Sequence, residues 1–87
     1  MQSKAASSFW KSYAGLPKEI QKTAVKQYRL WLENSRHSSL QFKKVQDYWS
    51  VRVSRNYRAL GIMDGETVIW FWIGPHGEYD NLIRRKR

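Results

Sequence analysis

The sequence predicts an α+β fold in which an N-terminal helix pair packs on a four-stranded antiparallel sheet, followed by a short C-terminal helix or turn near residues 77–84. Two observations support this prediction. Apolar residues recur every three or four positions up to residue 34, as in amphipathic helices. From Leu40 onward, apolar and polar residues alternate with the period of two that is typical of strands.

Two helices are predicted in the first part of the chain. Ser7 or Ser8 is expected to cap a short first helix, and residues 1–7 are expected to fray. The second helix is predicted over residues 17–34, with Pro17 in its first turn. One face of this helix is basic and is expected to face solvent. The opposite, apolar face is expected to pack inward and comprises Ile20, Ala24, Val25, Tyr28, Trp31 and Leu32.

Four strands follow a loop at residues 34–39. The pair Arg55-Asn56 predicts one tight turn, and Asp64-Gly65 predicts a hairpin. The predicted strands are Leu40–Val45, Trp49–Ser54, Tyr57–Met63 and Glu66–Ile73.

The last hairpin also predicts a register. A two-residue loop at Asp64-Gly65 pairs Gly61 with Val68 and Ala59 with Trp70. Trp70 would then share one face with Trp72. The other face is expected to be covered by the helices and carries Leu60, Ile62, Ile69 and Phe71.

Composition limits the class of protein. The chain has 87 residues, which we interpret as one domain over residues 1–87. Sixteen Lys and Arg against seven Asp and Glu give a net charge of +9, which favours a polyanionic partner such as nucleic acid, and an acidic protein fits the charge equally well. There is no cysteine, no signal-peptide apolar region and no apolar run long enough for a membrane span, so we expect a cytoplasmic protein.

Most catalytic constellations are missing from the sequence. Two histidines about forty residues apart do not form a metal-ligand set, and there is no Gly-rich phosphate loop, nucleophile elbow or paired-carboxylate motif. We therefore expect neither a metal nor another cofactor. RNA can be cleaved without metal, because its 2′-hydroxyl can attack the adjacent phosphate when a base, an acid and cations are supplied.

Four residues are predicted to carry such chemistry. His76 would be the acid or the base, because imidazole titrates near neutrality. Arg52 and Arg58 would hold the phosphate, and Tyr79 would stack on a base or position a proton. Each also has a structural alternative: solvation for Arg52, an ion pair for Arg58, a turn cap for His76 and the core for Tyr79. Further RNA contacts are expected from Lys43, Lys44 and Arg55, whereas His37 is expected to be an exposed loop residue.

The strands and the segment after them resemble the RelE/ParE toxin superfamily of type II toxin–antitoxin systems. The resemblance covers roughly residues 8–83. Its most distinctive parts are the Val-Arg-Val run of Val51–Val53, the Tyr57-Arg58 pair and the Ile-Gly-x-His-x-x-Tyr pattern of Ile73–Tyr79. It implies a compact α+β toxin that a cognate acidic antitoxin neutralises.

Two activities are compatible with this resemblance. RelE-like members are ribosome-dependent mRNA endonucleases, whereas ParE-like members inhibit DNA gyrase; a non-catalytic RNA-binding module is a third alternative. His76 and Tyr79 favour mRNA cleavage, because a gyrase inhibitor needs neither acid nor base. The resemblance places Arg58 on a phosphate-contacting arginine and Arg52 on a basic cleft position. With a two-residue turn these two arginines point to opposite faces, and a longer loop or a bulge brings them together.

Overall fold

The computed structural model describes residues 1–85, which fold into a five-stranded sheet with two helices on one face and a third helix at the C-terminal end. A 3₁₀ turn at Ser38–Leu40 links the second helix to the sheet. The helices are α1 (Ser7–Ala14), α2 (Lys18–Glu33) and α3 (His76–Arg85). The strands are β1 (Gln2–Ala5), β2 (Lys43–Val45), β3 (Tyr48–Ser54), β4 (Tyr57–Asp64) and β5 (Thr67–Pro75).

The sheet has one strand more than predicted, and it is mixed. Its strand order is β1-β5-β4-β3-β2, with β1 parallel to β5 and all other neighbours antiparallel. The expectation that residues 1–7 fray is therefore wrong. The backbone N–H of Gln2 donates to the carbonyl of Glu66 at 3.0 Å, and that of Ala6 donates to the carbonyl of Trp70 at 2.9 Å. The polar segment becomes a strand because β5 offers it an unpaired edge, a tertiary effect that overrides weak strand propensity.

Two serines attach α1 to the sheet instead of capping it. The N-cap of α1 is Ala6, which makes no side-chain capping bond, so the predicted cap at Ser7 or Ser8 is wrong. The Ser8 hydroxyl donates to the carbonyl of Phe71 at 2.8 Å, and the Ser12 hydroxyl accepts from the N–H of Ile73 at 3.1 Å. These bonds hold α1 against β5.

The inward face of α2 is narrower than predicted. Trp31 is buried, and Ile20 and Ala24 pack against the core cluster. Val25 and Tyr28 are about two-fifths exposed, although the helical period placed both on the apolar face. Leu32 is also exposed. Only part of the apolar face of α2 therefore packs on the sheet, and the rest is exposed to solvent. None of the helices within residues 1–85 is long and apolar enough to cross a membrane.

The main core lies between α1, α2 and the sheet. The predicted β4–β5 register is wrong by two residues, because the loop is Gly65-Glu66, with Gly65 at φ +61°, and Gly61 pairs with Trp70. A bulge at Phe71 then shifts the pairing, so that Leu60 pairs with Trp72. The bulge also brings Ile73 to the face of Val68 and Trp70. The helices cover this face, and the expectation that they cover the face of Leu60 and Ile69 is wrong. They pack on Val51, Val53, Ala59, Val68, Trp70 and Ile73.

The remaining elements differ slightly from their predicted limits. The strand predicted over Leu40–Val45 begins only at Lys43, because Leu40 ends the 3₁₀ turn and is fully buried. The left-handed conformation of Gln41, at φ 45°, separates the turn from the strand. The predicted C-terminal helix is present, but it begins at His76.

Close packing around Gly61 generates a stability prediction. A Cβ at this position would meet Val68 Cγ1 at 2.8 Å, and both the Ile69 carbonyl oxygen and the Trp70 ring at 3.0 Å. Because a backbone atom is among these contacts, Gly61→Ala should lower the free energy of unfolding by about 1–3 kcal/mol, the range for overpacked cores. Urea denaturation followed by tryptophan fluorescence measures this change.

Gly77→Ala is the matched control for the glycine prediction. Nothing lies within 4 Å of a Cβ at Gly77, and the residue is in the first turn of α3. Alanine there should leave stability unchanged or raise it by up to about 1 kcal/mol, because it favours helix. Equal losses in both variants would contradict the close packing described for Gly61.

Candidate functional site

A bulge in β3 places two arginines side by side. The β3–β4 register shifts between Arg52 and Ser54, so that Arg52 lies directly opposite Arg58. Val51 and Val53 face the helices, and the side chain of Arg52 therefore lies on the other face of the sheet. We call this face, which α1 and α2 do not cover, the open face. Of the two geometries that the sequence allowed, the structure has the one that brings the arginines together.

The turn between β3 and β4 holds Arg58 firmly. Its Nη1 lies 2.7 Å from the carbonyl oxygen of Ser54, 2.9 Å from that of Tyr57 and 3.3 Å from that of Arg55. Neither Nη2 nor Nε has a hydrogen-bond partner within residues 1–85, and neither is sealed from solvent. One edge of the guanidinium is thus used by the fold, and the other edge is available to a ligand.

Electrostatics at Arg58 reflect a crowded cationic site. Partial burial and, secondly, the charge of Arg52 lower the pKa of Arg58 below its usual value, while nearby Tyr79 and Asp80 act in the opposite direction. Arginine remains charged at any physiological pH despite such a shift. Two like charges held opposite each other on neighbouring strands destabilise a sheet, and such an arrangement is suited to binding an anion between them.

Helix α3 begins beside this arginine pair. The backbone N–H of His76 donates to the carbonyl of Asn56 in the β3–β4 turn at 2.7 Å, which fixes the start of the helix. One turn further on, Asp80 places a carboxylate oxygen 3.1 Å from His76 Nδ1. The imidazole of His76 is 45% exposed, and its centroid lies 5.5 Å from that of the Tyr79 ring. The arginines, His76, Tyr79 and Asp80 therefore form one cluster.

Tyr79 is positioned differently from its predicted role as a stacking residue. Its side chain is only 8% exposed, so the ring offers no free face to a base. It lies close enough to Arg58 to influence the pKa of that arginine. This burial corresponds to the structural alternative for Tyr79, a place in the core. Its nearness to Arg58 is compatible with ordering that arginine.

The predicted RNA-contacting residues fall on different parts of the surface. Lys43 pairs with Ser50 and so lies on the open face with Arg52, whereas Lys44 pairs with Trp49 and lies on the opposite face. Arg55 is exposed in the β3–β4 turn. The second histidine, His37, is exposed and caps the 3₁₀ turn, where its Nδ1 accepts the N–H of Ser39 at 3.2 Å.

Aromatic residues on the open face were missed at the level of sequence. The rings of Tyr48 and Phe71 lie 5.2 Å apart, and Trp72 extends from the same face opposite Leu60. The bulge at Phe71 produces this arrangement, and no residue type in the sequence marks a bulge. Asp80 was missed because the helix was expected to begin at residue 77, which left the i, i+4 relation to His76 unseen.

The opposite face of the sheet carries an apolar groove between α1 and α2, with a volume of about 340 Å³. Val51 and Ala59 are part of its floor, while Trp10, Val25 and Tyr28 form its walls. Trp10 is 55% exposed, an unusual degree for an indole ring. Three lysines border the groove or the shallow depression that continues it: Lys4, Lys18 and Lys22.

Comparisons with known proteins agree on the fold. The family model described as the ParE-like toxin domain matches residues 18–81. The solved RelB–RelE antitoxin–toxin complex from Methanococcus jannaschii is similar over 91% of this chain and 96% of that chain, with a TM-score of 0.69 at 23% identity. No curated protein matches the sequence.

Two further solved structures are similar at lower identity. YafQ from E. coli strain BL21(DE3) is similar over 90% of this chain and 96% of that chain, with a TM-score of 0.69 at 12% identity. The YoeB/ParE toxin from Agrobacterium tumefaciens is similar over 87% of this chain and 99% of that chain, with a TM-score of 0.66 at 14% identity. These similarities show that the chain has the fold of this group of toxins.

The arginine pair generates a prediction with opposite signs at its two positions. Arg52→Gln should raise the free energy of unfolding by about 0.2–1 kcal/mol, because it removes a like charge opposite Arg58. Arg58→Gln should lower it by about 1–3 kcal/mol, because three turn carbonyls lose their donor. Urea denaturation at low ionic strength measures both.

Salt provides the control for this pair of variants. Added salt screens repulsion between partly exposed charges, so the gain from Arg52→Gln should shrink as ionic strength rises. The loss from Arg58→Gln should persist, because it stems from hydrogen bonds. If both variants lost the same stability at every salt concentration, the proposed repulsion would be wrong.

Proposed function

The chain belongs to the family of ParE-like toxin domains, and we propose that it is the toxin of a type II toxin–antitoxin system. In this proposal, which also rests on the geometry of the open face, the toxin cuts messenger RNA on the ribosome in the cytoplasm without a metal ion. The observation that carries the proposal is the cluster of Arg52, Arg58 and His76 on one face of the sheet. It combines phosphate-binding cations with a titratable group.

The proposed reaction uses each group according to its position. The RNA 2′-oxygen attacks the adjacent phosphorus, the bond from phosphorus to the 5′-oxygen breaks, and a cyclic phosphate and a 5′-hydroxyl result. The free guanidinium edge of Arg58, together with Arg52, stabilises charge on the phosphate oxygens. His76 takes the proton of the attacking 2′-hydroxyl or gives one to the departing 5′-oxygen, and water exchanges the other proton. Tyr79 orders Arg58 from the protein side.

Binding of the RNA would extend over the rest of the open face. Lys43 and Arg55 provide further positive charge on either side of the arginine pair. Tyr48, Phe71 and Trp72 provide aromatic surface on which bases can stack. Lys44 lies on the opposite face, and we assign it no contact with the cleaved strand.

Inhibition of DNA gyrase is the second candidate function. The observation in its favour is the family model itself, which is that of ParE-like toxins. Such an inhibitor needs surface complementarity and no proton transfer, so substitution of His76 would leave it active. The two candidates therefore differ in a measurable way.

Controlled expression in bacteria tests the proposed function. Under the proposal, amino-acid incorporation stops first, cuts appear within translated messages, and plasmid supercoiling is unaffected at early times. Loss of supercoiling before any cut in messages would favour gyrase inhibition. Binding of RNA with neither effect would leave only the non-catalytic RNA-binding alternative.

The same assay predicts the effect of substitutions in the cluster. His76→Ala should slow cleavage of ribosome-bound message by about 10²–10⁴-fold, the usual contribution of a general acid or base. Arg58→Lys should retain only part of the activity, because an ammonium cannot contact the turn carbonyls and a phosphate at once. His37→Ala is the control and should cleave at the normal rate.

These comparisons require folded proteins, because Arg58 also stabilises the turn. Thermal melting and near-ultraviolet circular dichroism of the tryptophans identify any variant that is misfolded. A folded His76→Ala protein that cleaves at the original rate would remove His76 from the mechanism.

The cognate antitoxin is proposed to dock in the apolar groove between α1 and α2. The groove has an apolar lining that suits one face of an amphipathic helix. The lysines on its border suit acidic residues on the flanks of that helix. Several of the similar solved structures are themselves antitoxin–toxin complexes. An acidic segment of the same antitoxin would then cover the arginine pair on the open face.

This proposal predicts separate effects on the two rate constants of antitoxin binding. Raising the salt concentration should lower the association rate, because it screens steering between the +9 toxin and an acidic partner. Trp10→Ala should mainly raise the dissociation rate, by about tenfold or more, because it removes an aromatic anchor from the groove wall. Surface plasmon resonance with the antitoxin measures both.

Leu32→Ala is the matched control for Trp10→Ala. Leu32 is also 55% exposed and lies on α2, but it does not line the groove. Its substitution should leave both rates unchanged. An equal effect of the two substitutions would place the antitoxin elsewhere on the helices.

A further inference from the structure

We propose that Asp80 is a positioning residue that holds the imidazole of His76 in one tautomer, with the proton on Nδ1 and the reactive lone pair on Nε2. The inference rests on the proposed function for its consequence in catalysis. Its structural content is independent of that function, because a tautomer can be observed without RNA.

The geometry gives His76 two fixed points. Its backbone N–H is bound to the Asn56 carbonyl at 2.7 Å, and its Nδ1 lies 3.1 Å from Asp80 Oδ2, one helical turn further along α3. A carboxylate accepts hydrogen bonds and donates none, so the proton of this contact belongs to Nδ1. Nε2 meets no hydrogen-bond partner in the part of the chain that the structure describes.

Asp80 is located between Arg58 and His76. It is close enough to Arg58 to raise the pKa of that arginine, and its hydrogen bond goes to His76. Its side chain is 44% exposed, and ion pairs at this exposure contribute little to folding stability. The main effect of the contact is therefore on the orientation and tautomer of the ring, which is the common role of a carboxylate behind a histidine.

The tautomer decides which nitrogen meets the RNA. With Nδ1–H bound to Asp80, neutral His76 presents Nε2 as the acceptor for the 2′-hydroxyl proton while the 2′-oxygen bonds to phosphorus. If His76 acts as the acid instead, the same nitrogen gives its proton to the 5′-oxygen as the bond from phosphorus to that oxygen breaks. In both cases the carboxylate orients the ring and does not itself take the proton.

The two histidines of the chain should differ in tautomer, which provides an internal control. His37 Nδ1 accepts the backbone N–H of Ser39, so His37 should carry its proton on Nε2. The chain has no other histidine. A protein labelled with ¹⁵N in its histidines therefore gives two imidazole signals, with opposite patterns, when both rings are neutral.

Long-range ¹H–¹⁵N NMR correlation at a pH where both rings are neutral tests the inference. In the unmodified protein His76 should be the Nδ1–H tautomer and His37 the Nε2–H tautomer. In Asp80→Ala, His76 should change to the Nε2–H tautomer that free imidazole side chains prefer, while His37 is unchanged. Asp80→Asn, which keeps an acceptor oxygen, should retain a mixture. Glu78→Ala removes a carboxylate from the same helix turn and should change neither ring.

Cleavage of ribosome-bound message forms the second readout. Asp80→Ala should lower the rate on the order of 10–100-fold, as removal of a histidine's orienting partner does at other sites, with Asp80→Asn between it and the unmodified protein and Glu78→Ala at the normal rate. An Nε2–H tautomer in the unmodified protein, or an Nδ1–H tautomer that persists in Asp80→Ala, would overturn the inference. Failure of the unmodified protein to cleave, with the tautomers as expected, would instead overturn the proposed function and leave the assignment of Asp80 as the partner of His76 standing.

Discussion

Three carbonyl groups of the β3–β4 turn hold the guanidinium of Arg58, and the candidate site depends on this interaction. The turn follows directly on the bulge that brings Arg52 opposite Arg58. The same turn provides Asn56, whose carbonyl accepts the first N–H of α3. A single tight turn therefore fixes the arginine pair and, through the helix, the position of His76. Loss of its hydrogen bonds would disorganise every group that we assign to the reaction.

The arginine pair shows why this arrangement costs stability and is nevertheless suited to function. Like charges on facing strand positions repel, and burial of Arg58 adds a desolvation cost that lowers its pKa. Neither the repulsion nor the desolvation stabilises the folded toxin. Both would be reduced by the phosphate of the proposed RNA substrate, because an anion between the two guanidinium groups would replace repulsion with attraction. Under the proposed function, the free protein is already organised for the charge of its substrate, which is the electrostatic arrangement that stabilises charged transition states.

Sequence patterns correctly predicted the helices and strands with strong apolar periodicity. They did not predict strand pairing where one extra residue shifts the register between neighbouring strands. The helix expected over residues 17–34 and the strands around the two tight turns are present, since their apolar spacing leaves little choice. β1 was missed, because Gln2–Ala5 becomes a strand only through the edge of β5. The bulges at Val53 and Phe71 leave no mark in composition, although each exchanges the two faces of a strand beyond it. For that reason residue types marked Arg52, Arg58 and His76 only as candidates. The pairing of the two arginines, and the contact of Asp80 with His76, required coordinates.

The two faces to which we assign functions lie on opposite sides of one sheet layer, and this separation constrains how the toxin could be neutralised. The groove that we assign to the antitoxin is bounded by α1 and α2, whereas the free edge of Arg58 lies on the open face. A hydrogen bond links α2 to the backbone of the arginine pair: the Gln27 amide donates to the backbone carbonyl of Arg52 at 3.4 Å. A bond of this length between one side chain and a strand carbonyl is weak. A helix bound in the groove is therefore not expected to displace the arginines.

An antitoxin that occupied the groove alone would leave the guanidinium edge and His76 open to RNA. Neutralisation would therefore require a second segment that reaches around the sheet. The distribution of charge agrees with this division of roles. Apolar contacts in the groove would slow dissociation of the antitoxin helix. The arginine pair would bind an acidic segment of the antitoxin in place of phosphate.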